Sequence, residues 1–159
     1  MDKEAFANMV IAGTNSLYRI SKAMLKNDTD CEDAVQEAIA TGFAKLNTLR
    51  QEAYAKTWLT RILINECYGI LKRREKTMTL LTEPEEGAGA PDYSDLYNAL
   101  NMLKKETRLT LVLYYLEGYS IEEIAKIMCI PAGTVKSRLC RGRRDLRRIM
   151  EEEHYENIS

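Results

Sequence analysis

A chain of 159 residues, 45% hydrophobic and with a net charge of −1, has room for one ordinary domain or two small ones. Cys31, Cys67, Cys129 and Cys140 are scattered without a CxxC pair, which argues against a zinc knuckle or a thioredoxin-type site and predicts reduced thiols by default. No apolar run reaches the length of a membrane span, and the start MDKEAFANMV carries early acids where a leader would be basic and then apolar, so a soluble, cytoplasmic chain without membrane insertion is expected.

In chain order, Phe6, Met9, Val10, Gly13, Leu17, Ile20 and Met24 form an apolar stripe with helical period, closed by the polar patch KNDTD. Asp30 is the expected N-cap of a second helix, with Glu32 and Asp33 in its first turn. On that helix Val35, Ile39, Gly42, Phe43 and Leu46 are expected to face inward, and Asp33, Gln36, Glu37 and Thr41 outward. A polar bend spans Asn47 to Ala55. A third helix then runs through Trp58, Ile62, Asn65 and Ile70 into the basic cluster KRREK. These helices form a first domain over 1–76.

Periodicity fails between Thr77 and Ser94, where Pro84, Gly87, Gly89 and Pro91 lie among Glu83, Glu85, Glu86 and Asp92. This predicts a flexible acidic linker over 77–95. Helical pattern resumes at Leu96, Leu100 and Leu103 and continues through Leu109, Val112, Leu113 and Leu116, opening a second domain over 96–159. With no alternating strand pattern of useful length, the fold class is all-α: two small helical domains joined by a tether.

The second domain carries the most informative segment. Ser120 followed by Glu123 is a capping-box signature, and Ile121, Ile124, Ala125 and Met128 recur on one predicted buried stripe. Pro131 ends that helix, and Gly133 is expected to permit the tight re-entry into the next. In the second helix Val135, Leu139, Gly142, Leu146 and Ile149 fall on one side. Lys136, Ser137, Cys140, Arg141, Arg143, Arg144, Arg147 and Arg148 fall on the other. From Ala132 to Arg148 seven Lys or Arg stand against one Asp, a local balance of 7 − 1 = +6 on a chain that is nearly neutral overall. That is the composition of a helix-turn-helix whose recognition helix neutralises phosphates and reaches base edges in a major groove.

The string EGYSIEEIAKIMCIPAGTVKSRLCRGRRDLR closely resembles region 4 of extracytoplasmic-function RNA polymerase sigma factors, within the sigma-70 family. DCEDAVQEAIATGFAKL at 30–46 and WLTRILINECYGILKRR at 58–74 independently resemble their region 2. The chain departs from that pattern at Leu103–Lys104, where the family often has Leu-Pro, and at Met128–Cys129, where Leu-Gly is common.

The resemblance implies core RNA polymerase and promoter DNA as partners, with an anti-sigma factor as a regulator, and no cofactor. It implies polymerase binding by Asp33, Gln36 and Glu37. It also implies capture of an unstacked minus-10 base by Trp58, Arg61 and Asn65 with the loop from Arg50 to Lys56. Base stacking on a basic track supports this last role, since Arg50 to Lys76 carries 7 − 3 = +4, although a lone Trp at helical spacing more often packs the core between helices, which leaves Trp58 a supporting part. For the minus-35 element the matching positions are Thr134, Lys136, Ser137, Arg138, Cys140, Arg141, Arg143 and Arg144. Arg138 borders the buried stripe, so its stem is expected to lie there with its head toward a phosphate.

No catalytic constellation emerges: the single histidine, His154, lies in an acidic tail, and there is neither a phosphate-cradling glycine loop nor metal-ligand spacing. Two other readings fit parts of the chain, a stand-alone helix-turn-helix regulator and a helical adaptor with a basic helix. The independent match to region 2 argues against both.

Overall fold

The structure, a computed structural model, describes residues 1–78 and 94–158. Among them the regular elements are helical, and each helix boundary has a local chemical cause. Helix α1 (Lys3–Met24) starts where the Asp2 carboxylate accepts from the Ala5 N–H at 2.8 Å, and it ends as Leu25 turns extended. Helix α2 (Asp28–Ala44) is capped by Asn27, whose Oδ1 accepts from the N–H groups of Thr29 and Asp30 at 2.8 and 3.2 Å. The cap expected at Asp30 is therefore displaced by one helical turn. An amide oxygen at 27 satisfies two orphan donors, worth about 1 kcal/mol, and frees the Asp30 carboxylate for an ion pair with Arg74.

The bend before helix α3 (Ala55–Met78) contains two short 3₁₀ turns, Leu46–Thr48 and Glu52–Tyr54. Helices α1, α2 and α3 pack against one another. Phe6 lies at the centre, with its ring 4.7 Å from Phe43 and 6.2 Å from Trp58, both edge to face. Close approach of α1 to α2 depends on Gly42, because a Cβ there would stand 2.7 Å from Phe6 Cζ. The buried side of α2 is made of Cys31, Ala34, Val35, Ala38 and Gly42, while Ile39, Phe43 and Thr41 are only half-buried. Small residues occupy the seam, where helix backbones meet most closely. On α3 the buried positions are Ala55, Leu59, Thr60, Leu63, Ile64, Cys67 and Ile70; Trp58 and Ile62 flank them, and Asn65 is exposed.

Helices α4 (Ser94–Asn101), α5 (Lys105–Leu111), α6 (Ile121–Met128) and α7 (Ala132–Ile158) belong to the second unit. The expected single pattern from Leu96 to Leu116 is broken at Met102–Lys104, and Leu96 and Leu116 are exposed. The break is stabilised by Arg108, which is buried and donates from Nη1 to the carbonyls of Asn101 and Leu103, both at 3.4 Å. Burial lowers its tendency to hold a proton. After α5 the backbone widens into a π-turn over Val112–Leu116, in which the Glu117 N–H donates to the Val112 carbonyl at 3.0 Å. Gly118, with φ of 74°, redirects the chain into α6.

The chain divides into two compact units, Met1–Ala88 and Gly89–Ser159. The linker expected over 77–95 is helical at both margins, since 77 and 78 finish α3 and 94 and 95 begin α4. The rest of that segment, with Glu83, Glu85, Glu86 and Asp92, lies outside the described residues, as does the side chain of His154.

Candidate nucleic-acid interface

In the second unit, α6 begins with a complete capping box. The Ser120 hydroxyl accepts from the Glu123 N–H at 3.1 Å, and the Glu123 carboxylate accepts from the Ser120 N–H at 3.0 Å. Ile124 and Ile127 are the buried anchors of this helix, whereas Ile121, Ala125 and Met128 are half-buried. Its C-cap is Cys129 in the left-handed conformation, with φ of 56° and ψ of 46°. The sharp re-entry is made there and not at Gly133, which lies inside α7 with an ordinary negative φ. Pro131 then presents its carbonyl to the N–H groups of Thr134 and Val135 at 3.0 and 3.2 Å, starting α7.

The sides of α7 separate as their periodicity predicts. Val135, Leu139, Gly142 and Ile149 are buried, Leu146 is half-buried, and Lys136, Ser137, Cys140, Arg141, Arg143, Arg144, Arg147 and Arg148 are exposed. Thr134 and Arg138 are half-buried at the margins. Gly142 lets α7 approach α5 closely: a Cβ there would lie 2.9 Å from Thr107 Cγ2 and 3.1 Å from Leu111 Cδ1. Asp145 stands 3.9 Å from both Arg144 and Arg148, a pair of exposed contacts too weak to neutralise the face. Arg143 donates from Nη1 to the Tyr115 hydroxyl at 2.9 Å, and this bond holds the guanidinium more firmly in its charged form. Its partner is 28 residues away in sequence, so no local pattern announces it.

In the first unit, Asp33, Gln36 and Glu37 are exposed together at i, i+3 and i+4 on α2, opposite the buried Ala34, Val35 and Ala38. Trp58, Arg61 and Asn65 share one side of α3, Arg61 and Asn65 exposed and Trp58 half-buried with its ring against Phe6. Arg50 is exposed on the approach to that helix and Lys56 is exposed in its first turn. The 3₁₀ turn between them adds Tyr54, a 45% exposed aromatic that helical periodicity could not single out because it lies before the helix. Among the described residues no group of three His, Cys, Asp or Glu could hold a metal ion, and no helix is long and apolar enough to cross a membrane.

Comparison with known proteins agrees with this geometry. Residues 12–77 match the family model of sigma-70 region 2, and residues 93–146 match that of sigma-70 region 4. The chain is 31% identical over 129 residues to the RNA polymerase sigma factor SigV of Bacillus subtilis, covering 78% of each chain. It is 29% identical over 154 residues to the extracytoplasmic-function sigma factor SigM of Mycobacterium tuberculosis, covering 94% of this chain and 79% of the other. Its fold is similar to that of the sigma factor RpoE from Bartonella quintana, solved with the anti-sigma factor NepR. The TM-score is 0.80 at 26% identity, over 93% of this chain and 98% of that one. Two segments matching successive sigma regions, each a separate helical unit with its own charged face, establish that this chain belongs to the extracytoplasmic-function group of sigma-70 RNA polymerase sigma factors.

Proposed function

We propose that the chain is a dissociable initiation factor, itself without catalytic activity, that works in the cytoplasm by binding core RNA polymerase and directing it to promoters. The observation that carries this reading is the exposed cationic face of α7, held outward by a fully buried Val135 and a nearly buried Leu139. Lys136, Ser137, Cys140 and Arg141, with Thr134 at the margin, lie near the start and centre of the helix, where base edges of a minus-35 duplex come within reach. Arg143, Arg144, Arg147 and Arg148 lie further along and meet phosphates, joined by the head of Arg138. Asp33, Gln36 and Glu37 form the polymerase-docking face. Trp58, Arg61 and Asn65, with Arg50 and Lys56, hold the opened minus-10 strand, the half-buried indole of Trp58 packing against Phe6 while offering a surface for base stacking under this reading. The domain assignment follows these roles: the helices of 1–76 serve polymerase and melted DNA, 77–95 connects, and 96–159 holds duplex. The likeness to a sigma factor solved with an anti-sigma factor supports regulation by a partner of that kind.

The test is reconstitution with core polymerase. The wild-type chain should co-elute with it and support promoter-specific transcription. Glu37→Lys should weaken co-elution by about tenfold, the effect of roughly 1.4 kcal/mol, with circular dichroism unchanged because the side chain is exposed. A wild-type chain that never associates with core polymerase from a suitable bacterium refutes the initiation-factor reading.

A further inference from the structure

We propose that Tyr115 is a positioning residue for DNA binding, holding Arg143 in place against a backbone phosphate of the minus-35 duplex. The inference rests on the reading of α7 as the duplex-contacting helix. Tyr115 lies outside both helices of the helix-turn-helix, yet its hydroxyl accepts from Arg143 Nη1 at 2.9 Å while its side chain remains accessible, 52% exposed.

Three features fix the pair. The seating of Gly142 on Thr107 and Leu111 brings α7 against α5, so Arg143, the next residue on α7, stands beside the turn that follows Leu111. The π-turn over Val112–Leu116, closed by the bond from the Glu117 N–H to the Val112 carbonyl, winds wider than an α-helix and sets where Tyr115 projects. Tyr114 then braces the Tyr115 ring edge to face, with centroids 4.9 Å apart and planes at 83°. The hydroxyl is thus an anchored acceptor.

Around α7, steps of 100° place Arg143 at the edge of the exposed arc, next to Leu139 and away from the middle of that arc near Ser137. A cation on that edge meets the sugar-phosphate backbone. An exposed arginine ordinarily gives up considerable rotamer freedom when it binds. Tyr115 takes one of its five N–H donors and holds the plane of the guanidinium, leaving the others for phosphate oxygens. The phenol adds no charge, so its contribution is preorganisation alone.

The experiment measures binding of promoter duplex by the holoenzyme, formed with the full chain, over a series of salt concentrations. It compares wild type, Tyr115→Phe, Arg143→Gln and the double variant. Tyr115→Phe keeps the ring against Tyr114 and removes only the acceptor. It should weaken binding about three- to fivefold, evenly across minus-35 sequences and with the salt slope unchanged. Arg143→Gln should weaken binding and lower the salt slope by about one, and in that background Tyr115→Phe should have no further effect. Wild-type affinity in Tyr115→Phe, or an equal loss with and without Arg143, overturns the positioning role while leaving the α7 reading intact. An Arg143→Gln variant with wild-type affinity and salt slope overturns the phosphate contact itself, and the proposal with it.

Discussion

Replacing Cys129 by glycine should stabilise the second unit, although glycine usually destabilises. Cys129 is the non-glycine residue with positive φ among those described, and the left-handed conformation brings its Cβ against the following carbonyl at a cost of about 1–2 kcal/mol. Glycine removes that clash and gives back roughly 0.5–1 kcal/mol through the greater freedom of the unfolded chain. It also loses the weak contact of the thiol with the Lys126 carbonyl at 3.7 Å. The net gain is about 0.5–1 kcal/mol, which for a unit of this size corresponds to a midpoint roughly 3–6 °C higher. Cys129→Ala is the control: it removes the sulfur but keeps the Cβ, so it should leave the midpoint unchanged. The assay is thermal unfolding of the full chain followed by circular dichroism, with fluorescence recorded alongside. The only tryptophan, Trp58, lies in the first unit and reports that unit separately. Cys129→Gly should raise the dichroism transition and leave the Trp58 transition where it was. No rise with glycine, or the same rise with alanine, would show that the left-handed cap is not strained.

Arg141→Ala should relax the preference for one or two minus-35 base pairs, costing about 1–3 kcal/mol at a guanine it contacts through two hydrogen bonds; an unchanged ranking of a minus-35 library would remove Arg141 from the reading face. Burial pushes the Cys67 thiol up to about 12 from an ordinary 9.0, and burial moves Cys31 the same way. Between those values the unfolded chain releases the Cys67 proton while the folded unit keeps it. The contribution is therefore complete below about pH 9 and is lost as pH rises toward 12, by about 1.4 kcal/mol per pH unit. Denaturation followed through Trp58 should show wild type losing more stability than Cys67→Ala over that interval, and parallel curves for the two would refute it.

The helix-turn-helix was legible because each of its signals is local. The capping box spans Ser120 to Glu123, and the buried and exposed sides of α7 repeat at helical spacing over four turns. Where the structure departs, a competing contact decides. Asp30 looks like a cap, but Asn27 reaches two N–H donors first and Asp30 is drawn to Arg74, a partner on another helix. Gly133 was the conformationally free residue near the turn, but the turn falls at Cys129, because Pro131 and the α7 carbonyl pattern fix where the next helix starts. On α2, periodicity favoured large residues such as Ile39 and Phe43 for the inner face. The seam instead selects Ala34 and Ala38, which let the backbones approach. Arg108 reads as another surface charge until the break at Met102–Lys104 leaves carbonyls for it to satisfy. The bond between Tyr115 and Arg143 is legible only in three dimensions.

Gly42 and Phe6 also constrain how related sequences can vary. A methyl group at 42 would lie 2.7 Å from Phe6 Cζ and 3.2 Å from a methyl of Leu59, less than van der Waals contact allows. The missing side chain on α2 and the aromatic ring on α1 are therefore two halves of one steric choice. A homologue that acquires alanine at 42 is expected to carry a shorter side chain at 6, and one that keeps the ring is expected to keep the glycine. Because Phe6 also packs against Trp58, on the face assigned to melted DNA, this steric choice in the core reaches that face as well.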